Sequence, residues 1–427
     1  MTALPSAPPE GPLAERDVRL WWNLAAVALL LRFLVMPYGG FPVDIGTFKA
    51  WASSLAESGP AAFYGAGFAD YLPGYLYVLW IIGEVNRIVR FNDPAFLFAL
   101  KLPATASDLL TAWIIFAFAK RLGSRHALAL SASYLFNPGI IFNSAVWGQA
   151  DAVGAVVALA GVVLLGAASP VLVAVLLTAA ALIKPQTAPA LIPAGLVLLR
   201  TLSRPATGPP RWDLILGAGV ASVATLVAII FPFGLNPPRL VSVLRVSLGV
   251  YPFSSVVAFN FWGAAQGFWA GDEVRWLGVP LYALGAGATL VALCVVGLWT
   301  WRHPRPPQTV LAAAVALLAT FVLPTRIHER YLLPAIPFFA AAGASDRRAI
   351  WIYAGLSVVF TLNLLFAYTR PYAGTFLLPG WLEATVFSVV GTRVFSALGA
   401  LALPAAFVVL LSPRSAQARP TGQDAAA

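Results

Sequence analysis

A chain of 427 residues that is 60% hydrophobic and 10% charged, with a mean hydropathy of +0.82, is no water-soluble globule, because soluble domains carry roughly 25% charged residues. Its formal charge of +10 points less to nucleic acid than to topology, since basic residues in short loops of membrane proteins record the side they face. The single cysteine, Cys294 in the apolar run VALCVVGLW, excludes a disulfide framework and a Cys-based metal site.

The apolar runs are continuous rather than alternating, which predicts an all-α polytopic membrane protein and not a barrel. Residues 1–19, MTALPSAPPEGPLAERDVR, are Pro/Ala-rich with no basic segment feeding an apolar core, and read as a cytoplasmic tail before an uncleaved first helix. Crossing about 30 Å of hydrocarbon takes about 20 residues. The first span falls at 20–35, with Arg32 near its end and able to snorkel. A polar stretch follows, FPVDIGTFKAWASSLAESGPAAFYGAGFADYLPGYLY at 41–77, then the short, charge-interrupted run YLYVLWIIGEVNRIV at 75–89. Further spans fall near 98–119, 126–143, 151–168, 170–184, 187–200, 212–233, 276–299, 309–325, 331–344, 349–368 and 392–411. They form a single domain over 20–411, and 412–427 reads as a disordered tail.

Basic loops orient these spans. Lys120, Arg121 and Arg125, then Arg200, Arg204 and Arg211, then Arg302 and Arg305, then Arg347 and Arg348, all fall on one side if spans alternate from residue 98. The positive-inside rule makes that side cytoplasmic, and the tail with Arg414 and Arg419 joins it. Parity then favours 75–89 as an interfacial or re-entrant helix, which extends the first external loop over about 38–97. The count becomes about 12 spans, with both termini cytoplasmic.

The outer face collects the polar groups: Asp44, Asp70, WGQAD at 147–151, IKPQ at 183–186, YPFSSVVAFNFW at 251–262 and TRIHERY at 325–331. An ionisable group at the centre of a span costs roughly 2.5–3.5 kcal/mol and needs a partner, a wet cavity or a function. Lys101 and Asp108, seven residues apart, share a helix face and either join helices as a pair or line a pocket, with Asp108 the better pocket candidate. Asp151 either caps the helix it opens or joins Trp147 and Gln149 in a sugar-binding surface. Lys184, before the helix-breaking Pro185, either snorkels or binds an anion together with Gln186. Arg326, His328, Glu329 and Arg330 lie within five residues, and their cations suit a phosphate or pyrophosphate at headgroup level. Asp44 either caps the helix TFKAWASSLAES or serves as a general base for a hydroxyl, with Asp70 the second candidate. Metal ligation by these aspartates is compatible with the sequence, but no compact D-x-D or His/Asp cluster compels it.

In order, VDIGTFKAWA, ADYLPGYLYVLW, LKLPATASDLLTAWIIF, LFNPGIIFNSAVWGQADAV, LIKPQTAPALIP and RIHERYLLPAIPF resemble the motif series of bacterial membrane glycosyltransferases of the GT-C superfamily. The set is similar to the family related to GPI-anchor mannosyltransferases and, more distantly, to the ER glucosyltransferases that use dolichyl-phosphate glucose. It covers about residues 20–345, and the last two spans add nothing to it. Tyr71-Leu72-Pro73-Gly74 departs from the Pro-Pro form of the second motif.

The resemblance implies a GT-C-type fold in a bacterial cell membrane and inverting transfer of a hexose, mannose by family, from a polyprenyl-phosphate donor. The acceptor hydroxyl, on a lipid, glycan or protein, lies on the non-cytoplasmic face. Asp44 matches the family's catalytic base, while His328, Glu329 and Arg330 match the motif near the donor phosphate. Trp147, Gln149, Asp151, Lys184 and Gln186 match elements of the same cavity, and Tyr331 with Trp51 orients sugar and acceptor. A phosphate monoester leaves readily, so no cofactor is demanded and a divalent metal is left open. The competing classes are a transporter or flippase of lipid-linked sugars and a non-catalytic scaffold. Transporters tend to carry repeated halves, and no such repeat is visible in the sequence.

Overall fold

Prolines and short polar side chains punctuate the chain into helices. The computed structural model describes residues 15–412 except 66, 371–377 and the side chain of Leu248. The expected tails at 1–14 and 413–427, with Arg414 and Arg419, lie outside the described residues. The first helix, α1 (Glu15–Val35), begins five residues before the expected span at 20. Next come α2 (Pro42–Ser58), α3 (Pro73–Val89) and the long α4 (Asp93–Arg121), which Asn92 caps by accepting from the Ala95 amide at 3.0 Å.

The span expected at 126–143 is broken into α5 (Ala127–Leu135), α6 (Pro138–Ile141) and a π turn at Phe142–Trp147. The cause is Asn137-Pro138: Pro138 has no amide to continue α5. The Asn137 side chain instead caps α6 and donates to Ser357 at 2.8 Å. After α7 (Asp151–Val163) and α8 (Pro170–Ile183), a 3-10 turn at Pro185–Ala190 leads into α9 (Leu191–Ser203).

Then follow α10 (Trp212–Ile230), α11 (Pro237–Gly249) and α12 (Phe261–Ala265). A two-residue hairpin pairs β1 (Arg275–Trp276) with β2 (Val279–Pro280). The remainder is α13 (Leu281–Arg302), α14 (Pro306–Val322), a 3-10 turn at Glu329–Leu332, α15 (Ala335–Ala342), α16 (Arg348–Thr369), α17 (Gly380–Ala384) and α18 (Val389–Leu411).

The chain is thus a nearly all-α membrane protein. Among the described residues six helices are long and apolar enough to cross a membrane: α1, α4, α10 with the turn that follows it, α13, α16 and α18. The Ala-rich α14 and α15 are buried almost throughout. Their small side chains let neighbouring backbones approach closely, the packing that works where lipid supplies no hydrophobic drive between helices.

Two ion pairs fix the direction of α1 against α4. Asp17 pairs with Lys120, and Arg32 pairs with Asp108 at 3.2 Å. Residue numbers rise along one helix as they fall along the other, so the helices are antiparallel. The intervening residues 36–92 therefore return to the end of the bundle where α1 finished. Here α2 packs along α3, and Gly74 at the start of α3 seats on the Leu182–Ile183 backbone. A further crossing by α3 would have made α1 and α4 parallel.

The same contacts correct two expectations. Arg32 does not snorkel: its side chain is fully buried between Asp108, the Ala28 carbonyl and the Leu135 carbonyl. Nor does Lys101 pair with Asp108; its ammonium donates to the carbonyls of Met36, Tyr38 and Val146 at 2.9, 2.6 and 2.9 Å. Removing one partner of a buried ion pair strands a charge, at a cost of about 3–5 kcal/mol. Asp108→Ala should therefore lower thermal stability far more than Asp93→Ala, whose carboxylate is exposed; a detergent-solubilised melting curve of each variant measures the difference.

Candidate active site

A cavity of about 690 Å³ opens at the end of the bundle where the first loop sits. Its charged groups come from three segments that are distant in sequence. The first loop supplies Asp44, Trp51, Asp70 and Tyr71; the break after α8 supplies Lys184 and Gln186; the stretch after α14 supplies Arg326, His328, Arg330 and Tyr331.

Asp44 lies in the first turn of α2 but does not cap it, for no side-chain cap hydrogen bond forms there. Instead its Oδ2 accepts from Trp147 Nε1 at 2.7 Å and from Gln149 Nε2 at 2.5 Å. Both donors reach it because the π turn ends at Gly148, whose φ of 89° suits glycine and reverses the chain. The Phe41 amide donates to the Trp147 carbonyl at 3.1 Å and the two rings stack at 4.7 Å, locking loop to turn. Trp147 and Gln149 thus stand behind Asp44, outside the cavity lining, rather than forming an open sugar-binding surface.

Asp151 also lies behind the wall, 1% exposed, and pairs with Lys184 at 3.2 Å. The Lys184 ammonium donates to the Tyr71 hydroxyl at 2.7 Å and sits 4.3 Å from the ring centre. It is held between Asp151 and Tyr71 and does not snorkel. Asp108 is not part of the cavity at all: it is fully buried between Arg32 and Ser144.

On the far wall Glu329 is buried and bonds Arg330 at 2.9 Å, which places the glutamate behind the guanidinium. Burial works against the charge of Arg330, but the carboxylates of Asp44 and Glu329 override it and hold its pKa well above the ordinary value. His328 behaves oppositely. Burial, with the charges of Arg330 and Lys184, pushes its pKa well below the ordinary 6.5, so the ring is neutral. It packs edge-on against Tyr251 at 4.7 Å. The cations facing the cavity are therefore Lys184, Arg326 and Arg330, and His328 offers a neutral ring nitrogen instead of the positive charge expected from the sequence. Asp70 is shifted upward by burial, opposed by Lys184, a backbone hydrogen bond and Arg330.

Two positioning groups escaped the sequence reading. Asp272, fully buried, accepts from Thr325 at 2.9 Å and from Arg326 Nε at 2.7 Å. It holds Arg326 in a left-handed backbone conformation with φ of 63°. Asn363 of α16 accepts from the Phe259 amide at 2.7 Å and donates to the Val257 carbonyl at 2.6 Å. This pins the 251–262 segment against His328, with which Val256 and Val257 form backbone bridges. A lone asparagine inside the apolar run of α16 was the available signal; Asp272, in an unremarkable loop, offered none.

Among the described residues no three His, Cys, Asp or Glu side chains converge to hold a metal ion. No family model and no curated protein matches the chain.

The depressed pKa of His328 has a testable sign. Below about pH 6.5 the unfolded chain protonates this histidine while the folded protein does not, so stability falls as pH drops through that value. His328→Gln should flatten the fall in melting temperature between pH 7 and pH 5, read by thermal unfolding across that range. An unchanged slope would mean that His328 charges in place.

Proposed function

We propose that this protein is an inverting membrane glycosyltransferase of GT-C type that transfers a hexose, mannose or a close relative, from a polyprenyl-phosphate donor to an acceptor hydroxyl. The observation that carries the reading is the meeting, around one cavity, of two carboxylates, Asp44 and Asp70, with three cations, Lys184, Arg326 and Arg330. The carboxylates are suited to the hydroxyl end of the reaction and the cations to its phosphate end. The cavity opens beside apolar side chains, Ile192, Leu244 and Leu293, which suit a lipid-linked substrate.

In this mechanism the acceptor O–H gives its proton to Asp44 while its oxygen attacks C1 of the sugar from the face opposite the phosphate. The C1–O bond to phosphate breaks with its electron pair, leaving polyprenyl phosphate. Arg330 and Lys184, with a neutral hydrogen bond from His328, meet the charge that develops on the departing phosphate. Fixed donors of this kind are often the largest catalytic contribution, because they need no reorganisation. The two hydrogen bonds to Oδ2 orient Asp44 and leave Oδ1 for the proton. Asp70, whose protonated form burial favours, is suited to donate to a sugar or acceptor oxygen.

The reading includes a topology of 12 crossings with both termini cytoplasmic, in which α5–α6, α7, α8, α9, α14 and α15 cross as shorter pieces within the bundle. In its favour, the arginine-bearing ends of α9 and α13 meet through Arg200 over Trp301, and Arg348 at the start of α16 meets Ser412 after α18. The antiparallel α1 and α4 fit the same scheme.

Purified protein incubated with a panel of polyprenyl-phosphate sugars should release lipid phosphate. Asp44→Asn should lower kcat by about 10²–10⁴-fold, the usual share of a general base, with donor binding nearly unchanged. Full activity in that variant would remove Asp44 from the role. Gln149→Leu should lower kcat by up to about 10²-fold with little effect on KM, since it misplaces the base without touching substrate. If no donor is consumed while a sugar lipid crosses proteoliposomes, the protein is a transporter.

A further inference from the structure

Away from this cavity, α8, α9 and α10 enclose a groove of about 200 Å³ that contains none of the groups described above. On α10 the lining positions Ile215, Ala218, Gly219 and Ser222 repeat at helical spacing and form one face; on α9 Gly195, Leu198 and Leu202 do the same. Glycine inside a helix costs roughly 0.5–1 kcal/mol relative to alanine, so a structured chain keeps it where something must approach closely. Nothing among the described residues does. A Cβ added at Gly195 or at Gly219 would meet no atom within 4 Å. Little of α10 is fully buried and Gly195 and Gly219 are exposed, so the groove opens on the outside of the bundle.

One end of the groove runs into charge. Leu202 in the last turn of α9 and Ile215 in the first turn of α10 flank the connection at 204–211. The Arg211 amide donates to the Leu202 carbonyl at 2.8 Å, which folds that connection back onto the groove mouth. Three arginines and one acid border that connection. Arg211 bonds Asp213 through two nitrogens, Arg200 lies over Trp301, and the exposed side chain of Arg204 makes no hydrogen bond or ion pair among the described residues. An apolar slot that ends under an excess of arginine complements a molecule with a hydrocarbon tail and an anionic head. Basic pockets between membrane helices take such headgroups.

We propose that this groove is a binding site for an anionic phospholipid. One acyl chain lies over Gly195 and Gly219, and the headgroup phosphate rests on Arg204 and Arg211. The site lies outside the catalytic cavity and is independent of the reaction assigned there.

Native mass spectrometry of the detergent-solubilised protein, titrated with phosphatidylglycerol or with phosphatidylcholine of the same acyl chains, tests it. Phosphatidylglycerol should be retained more strongly. Arg204→Gln, in an exposed loop, should weaken that retention about fivefold, the effect of one arginine near an anionic lipid surface. Gly195→Leu and Gly219→Leu, whose added Cβ meets no atom within 4 Å and whose side chains occupy the groove, should abolish retention of the bound lipid while melting temperature and lipid-phosphate release stay at wild-type levels. Equal retention of the two lipids, retention that survives both glycine substitutions, or a dimer that these substitutions dissociate would each overturn the proposal, the last by showing a second copy of the chain in the groove.

Discussion

The site depends on one buried charge and the backbone it gathers. Lys101, inside α4, holds the carbonyls of Met36, Tyr38 and Val146 with a single ammonium. An ammonium stripped of water needs this number of acceptors to remain charged. In meeting that need it draws the chain leaving α1 onto the π turn before Gly148. From that junction the geometry of Asp44 follows. The start of α2 is tied to Trp147, and the indole and the Gln149 amide converge on one carboxylate oxygen. A Cβ at position 148 would lie 2.7 Å from the Ile45 side chain and 3.3 Å from Lys101, so only glycine fits where turn, loop and lysine converge.

The opposite wall rests on a different solution, a loop threaded into the bundle. Residues 251–262 carry unpaired backbone groups into a buried environment, where each orphaned group costs about 1–3 kcal/mol. Asn363 answers two of them. Trp262 and Asn260 donate to the Leu323 and Phe321 carbonyls at 2.6 and 3.2 Å, satisfying the end of α14 from the loop side. The stretch from Thr325 to Tyr331 therefore leaves α14 against a fixed surface. His328 and Arg330 are aimed by α16 and by the threaded loop as much as by their own sequence.

Much of this was legible in the sequence where the signal was local. Continuous apolar runs marked most of the helices, and in the structure the antiparallel ion pairs of α1 and α4 bring residues 36–92 back to the end of the bundle where α1 finishes. The pockets of polarity at Asp44, Lys184 and 326–331 did converge on one cavity. What the sequence could not supply was which side of a wall each residue occupies. Trp147, Gln149, Asp151 and Glu329 carry the same residue types whether they face the cavity or stand behind it, and all four stand behind. Asp108 was drawn to the pocket by its spacing from Lys101, yet its partner Arg32 is 76 residues away. Seven-residue spacing places two groups on one face of a helix but does not say what the facing helix offers. Of the last two spans, silent by motif, α16 proved to position the loop through Asn363 and to close on Phe41 and Gly40 through Tyr368.

The pattern of pairing explains how so many charges share one cavity. Each cation on its wall is backed by an acid from the protein: Lys184 by Asp151, Arg326 by Asp272 and Arg330 by Glu329. Unpaired, these cations would repel one another across low-dielectric space and drift toward any available acceptor. Paired from behind, they keep fixed positions on the cavity wall, the arrangement in which an anion is stabilised without reorganisation of the site. Asp44 and Asp70 differ. Neither forms an ion pair among the described residues, and the hydrogen-bond donors on Asp44 are neutral. A carboxylate locked to a guanidinium would be a poor proton acceptor, since the pair would have to break as the proton arrived. By meeting Asp44 with an indole and an amide, the fold fixes its direction without a direct ion pair, and this separates the acid of the first loop from the three acids bonded to cations.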